Sequence, residues 1–136
     1  MITEVFPDTT GAMRTWLRAQ TAISTLVGTR VYVFGIPKDT AYPFIVVTPV
    51  AGSDDSSTAP IDNAVIQFQV WAHDVLSATA VLRALRSVLF GIQGTTALDV
   101  NTRCFGAEID LVLWQPDPVS GKSRYIVTSR VTAIAV

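Results

Sequence analysis

Chemistry in this chain of 136 residues would have to start from very few side chains. His73 is the single histidine, and Asp74 follows it directly. Acid–base or metal work needs further groups converging on the imidazole, and no Cys/His set with zinc-ligand spacing accompanies it. A polar pair at a strand-to-helix junction is the simpler reading. Asp54 and Asp55 resemble half of a calcium loop, but the regular spacing and closing glutamate of an EF-hand are missing. The motifs GxSxG, GxxxxGK[ST] and GxGxxG do not occur, and the other carboxylates are scattered. Catalytic, cofactor-binding and metal-binding residues are accordingly none on this reading, no cofactor is expected, and the chain is not expected to be an enzyme. Cys104, the only cysteine, cannot form an internal disulfide and reads as a small buried hydrophobe beside Phe105.

Composition points elsewhere. Hydrophobic residues make up 49% of the chain and charged residues only 15%, against about 25% charged in ordinary domains. Part of the surface is therefore expected to be covered by other chains. The net charge is −1 and no basic stripe runs through the sequence, so the electrostatic footprint of a nucleic-acid binder is missing. No stretch approaches the roughly 18 apolar residues of a membrane span, so no membrane partner is expected. The opening MITEVFPDTT has neither the basic nor the apolar region of a secretion signal, so synthesis and folding in a cytoplasm are expected.

The elements follow from periodicity. Thr9 to about Val27 reads as a helix with Met13, Trp16 and Leu17 on one face, broken near Gln20 and stopped by Gly28. Arg30–Phe34 and Phe44–Val50 read as strands, with Pro49 marking an edge or an end. Gly52–Asp62, rich in Ser, Asp and Pro, reads as a mobile loop. Asn63–Ala72 is the clearest strand: Ile66, Phe68, Val70 and Ala72 alternate with Gln67, Gln69 and Trp71. The next helix, capped by Asp74 or Ser77, carries an apolar stripe of Ala78, Val81, Leu82, Leu85, Val88 and Leu89 and ends at Gly91. With Ser77 as cap, Leu76 and Val81 would form a hydrophobic staple. Gln93–Thr102 reads as a polar connection. Arg103–Gln115 and Ser123–Val136 read as a closing hairpin of strands. The expectation is an α+β domain spanning 1–136: a single, mostly antiparallel sheet with two helices packed on one face, in the order α-β-β-β-α-β-β.

Two groups are candidate interaction sites. Ser53, Asp54, Asp55, Ser56 and Asp62 form an acidic loop suited to an interface or a channel. Gln67, Gln69, Trp71 and Trp114 read as an outward sheet face, where a tryptophan is either an interface anchor or is covered by a loop.

The segments LVGTRVYVFGIPKDTAYPFIVVTP (Leu26–Pro49), FQVWAHDVLSATAVLRALRSVLFG (Phe68–Gly91) and RYIVTSRVTAIAV (Arg124–Val136), in this order and spacing, resemble the tail-terminator, or tail-completion, family of long-tailed bacteriophages. The resemblance implies a structural virion protein at the head–tail junction. It would form a hexameric ring that caps the tail tube, with the tail tube protein and a head-completion or neck protein as partners and DNA only passing through the channel. It carries over no catalytic residues. A head-completion or connector ring, and a non-viral binding module using the Gln67/Gln69/Trp71 face, are the alternatives. A long strand such as Ser123–Val136 would offer an edge for pairing between subunits.

Overall fold

A computed structural model of the chain describes residues 6–55 and 60–135. Asp8 caps the first helix, α1 (Thr9–Ala19), its carboxylate accepting the Gly11 amide at 3.1 Å. Gln20 leaves the helical region with φ −80° and ψ 120°, and α2 (Thr21–Val27) restarts from it. Gly28 ends α2 at φ +62°, a left-handed conformation that glycine adopts without a Cβ penalty. After β1 (Val31–Val33) come β2 (Phe44–Asp55), β3 (Ile61–Ala72), α3 (Val75–Phe90), β4 (Gln93–Asp99), β5 (Thr102–Trp114) and β6 (Ser123–Ala135).

The strands form one six-stranded sheet in the order β1-β2-β3-β6-β5-β4. β1 runs parallel to β2, and the other ladders are antiparallel. The sheet is therefore mixed, with three helices rather than two and an additional strand, β4. The polar Gln93–Thr102 segment becomes strand because β5 offers it an edge and Leu98 is buried; tertiary pairing overrides its weak propensity. β6 is not an edge. It pairs with β3 without a break from Ile61↔Ile134 to Ala72↔Ser123, and with β5 on its other side.

All three helices bury their apolar stripes on one face of this sheet. Met13, Leu17, Ile23, Val27, Val81 and Leu85 share a core with Ile66, Phe68, Val70, Val127 and Val131. The sheet curls far enough that α1 touches both edge strands, β1 and β4. Asp74, not Ser77, caps α3: its carboxylate accepts the Ser77 amide at 2.8 Å, which holds its pKa below the usual carboxylate value. Leu76 is left exposed, so no staple forms.

One core group is unsatisfied. Ser129 is fully buried, and its Oγ has no hydrogen-bond partner among the described residues. An unpaired buried hydroxyl loses its hydration for nothing in return. Ser129→Ala is therefore expected to leave stability unchanged or raise it by about 1 kcal/mol in urea unfolding; a comparable loss would mean the hydroxyl has a partner.

Candidate assembly surfaces

The residues singled out from sequence fall in several separate places. Ser53, Asp54 and Asp55 are not loop. They extend β2, paired with Asn63, Asp62 and Ile61 of β3. Ser56 lies outside the described residues. Asp62 serves the fold: its carboxylate accepts the hydroxyl of Thr9, the buried first residue of α1, at 2.5 Å, tying that helix to β3.

Gln67, Gln69 and Trp71 do share the face of the sheet away from the helices. They are linked along β3: Trp71 Nε1 donates to Gln69 Oε1 at 3.1 Å, and Gln69 Nε2 to Gln67 Oε1 at 3.2 Å. Trp71 is nevertheless only 8% exposed. Its ring stacks on Phe44 at 5.7 Å, and the Arg124 guanidinium lies 5.0 Å from its centroid. Tyr32 and Tyr42, flanking the β1–β2 connection, pack on the same cluster. The connection thus covers the corner where Trp71 would have been an anchor.

Trp114 does not belong with this group. Two bulges in β5, between Cys104 and Gly106 and between Ile109 and Leu111, each insert a residue and reverse the alternation. Cys104, Ala107, Ile109 and Val112 therefore pack on the core, while Leu111 and Leu113 are exposed on the outer face. Trp114 follows Val112 onto the helix side, where it packs against Tyr125 at 4.8 Å and stays 41% exposed. Cys104 is buried as expected, and burial pushes its thiol pKa up.

Among the described residues, His73 lies against Lys122 and Tyr42. Its Nδ1 lies 3.2 Å from Lys122 Nζ, and its ring lies 4.6 Å from that of Tyr42. Among the described residues there is no cluster of three or more metal-ligating side chains, and no helix is long and apolar enough to cross a membrane.

The surfaces that sequence reasoning missed are the sheet edges. Among the described residues, β1 covers β2 only at Ile45–Val47, leaving Thr48–Asp55 paired on one side. β4 covers β5 only as far as Gly106, leaving Ala107–Trp114 paired on one side. The open stretches sit at diagonally opposite corners of the sheet. Beside the β5 edge runs a groove of about 960 Å³ walled by Arg83, Arg86 and Phe90 of α3. Across it, Arg130 binds Glu108 at 2.7 Å and Asp110 at 2.9 Å. The sequence signals for these edges are Pro49, which marks an edge or an end in β2, and Gly106, where the pairing with β4 stops.

The described residues thus form a curled mixed sheet with helices on one face, two half-open edges and exposed apolar side chains at Phe34, Leu76 and Val119. The sequence pattern of the family described as Tail completion protein gp17 matches residues 11–109, and the chain belongs to that family. The fold is similar to a chain in the solved structure of the virion of a native gene transfer agent (GTA) particle: TM-score 0.68, 23% identity, covering 93% of this chain and 94% of that one. No curated protein matches the chain.

The Thr9–Asp62 contact separates structural from assembly roles within the acidic group. Asp62→Ala and Thr9→Val are each expected to cost about 1–2 kcal/mol in denaturant unfolding, with the double variant no worse than the worse single one. Full additivity would show that the two side chains act independently.

Proposed function

We propose that this protein is a tail terminator: a ring of six identical copies that closes the end of the tail tube and joins it to a neck or head-completion protein, without catalysing a reaction. The observation that carries the reading is the family match over residues 11–109. Three features support it. The low charge fraction of 15% suits a protomer with two covered flanks. The open edges lie on opposite sides of the sheet, the arrangement a head-to-tail interface needs to propagate around a ring. The outer face also carries a row of uncharged polar side chains, Thr48, Gln67 and Thr128, in register across three strands. On the same face Arg130 is held by Glu108 and Asp110 and Arg124 lies over the Trp71 ring, so such a face lining a channel would hold passing DNA only weakly.

In this reading the protein belongs at the head–tail junction of the virion. Ser53, Asp54 and Asp55 serve contacts between copies, and the apolar tips Leu76 and Val119, both beyond the Ala72–Ser123 end of the sheet, crown the end of the ring that meets another component.

The test is light scattering and negative-stain imaging of the purified protein alone and with isolated tail tubes. Six-copy rings with a central hole, seated on tube ends and stopping further elongation, are expected. Rings that bind capsid portals and ignore tubes would make it a head-completion connector. A monomer that stays a monomer with tubes present would overturn the ring altogether.

A further inference from the structure

The groove beside β5 combines an open strand edge with two arginines. Its floor is Ala107–Asp110, the first part of the open edge, whose outward amides and carbonyls lack strand partners among the described residues and are available for pairing. Its wall is the exposed face of α3, with Arg83, Arg86 and the exposed ring of Phe90. The groove's own carboxylates, Glu108 and Asp110, are both held by Arg130. Arg83 and Arg86 have no carboxylate partner among the described residues, and guanidinium forks bind carboxylates bidentately.

The complementary feature is on the same chain, at the opposite edge of the sheet. β2 is open from Thr48 to Asp55, the same length as the open stretch of β5, and it ends in Gly52-Ser53-Asp54-Asp55. β2 and β5 run in opposite directions in the sheet. A neighbour in the same orientation would therefore present its β2 to this β5 as an antiparallel strand. The bulge between Pro49 and Ala51, and a proline without an amide hydrogen, confine regular pairing to Gly52–Asp55. Charge, more than a long ladder, would then set the register.

We infer that the acidic end of β2 in one copy lies in the α3–β5 groove of the next, with Asp54 and Asp55 meeting Arg83 and Arg86. Donor and acceptor are on opposite edges, so the contact is heterologous and cannot close as a two-fold dimer. They are also at opposite ends of the strands, so each neighbour is displaced along the strand direction. Strands staggered in this way tilt around a closed ring. The inference rests on the ring reading and supplies its interface.

The test uses two charge reversals, Arg83→Glu with Arg86→Glu and Asp54→Lys with Asp55→Lys, and the fourfold variant that combines them. Folding is checked by thermal melting, and assembly with purified tail tubes by light scattering and imaging. Each reversal should weaken ring assembly on the order of a hundredfold, since it sets like charges against each other. The fourfold variant should recover to within about tenfold of the unaltered protein. An equimolar mixture of the two reversals should also form rings, because alternating copies make Asp–Arg and Lys–Glu contacts in turn. Reversals that assemble like the unaltered protein, or a fourfold variant as defective as either parent, would overturn the inference and leave the ring intact. Rings that form normally but no longer seat on tubes would assign the groove to the tube protein instead. An unaltered protein that never assembles would remove the ring and this interface together.

Discussion

The unbroken pairing of β3 with β6 is the constraint on which the rest of the molecule depends. From Ile61↔Ile134 to Ala72↔Ser123 every residue has a partner. A slip of one position would turn Ile66, Phe68 and Val70 out to solvent. The helices are needed because this pair presents its apolar residues on one side only, and three of them suffice to cover that side. What the chain has left for the flanks is β1, three residues long, and β4, seven residues long with bulges. Neither can cover the full length of the strand beside it. The open edges are thus a consequence of a core completed from the centre outward.

Where alternation is clean, the sequence could be read directly. Ile66, Phe68, Val70 and Ala72 in β3, and Val127, Ser129, Val131 and Ala133 in β6, fall on the core side as their period of two requires. The stripe of α3 and the break at Gln20 follow from local pattern and capping in the same way. β5 could not be read so, because its two bulges make Phe105 and Asp110 extra residues and so change which face the following residues occupy. A bulge has little compositional signature within a strand. The acidic end of β2 had the composition of a loop, and only pairing with Asn63, Asp62 and Ile61 makes it a strand.

Both candidate groups have surroundings that sequence alone does not show. Trp71 was legible as outward-facing, but its covering by the Phe44 ring and the Arg124 guanidinium comes from a connection that returns over the outer face. Asp62 was legible as acidic, but the hydroxyl it binds lies 53 positions away in sequence. At the acidic segment, Ser53–Asp55 lie on an edge of β2 that, among the described residues, no strand covers beyond Val47.

The bulges that obscured β5 also bear on how such a chain stays apart from its copies. An unprotected edge strand invites indiscriminate pairing, and natural proteins counter it with bulges, prolines and charge. Both open edges carry these devices: Pro49 and a bulge in β2, Asp110 and a bulge in β5. Edges blunted in this way discourage long ladders between free copies, and the charge-matched contacts inferred above would be short, screened by salt and weak when taken singly. A ring that closes adds its last contact without bringing in a further copy, and a tube end that holds several copies side by side raises their effective concentration. On the ring reading proposed above, weak, heterologous contacts between blunted edges would favour assembly on the finished tail rather than ahead of it.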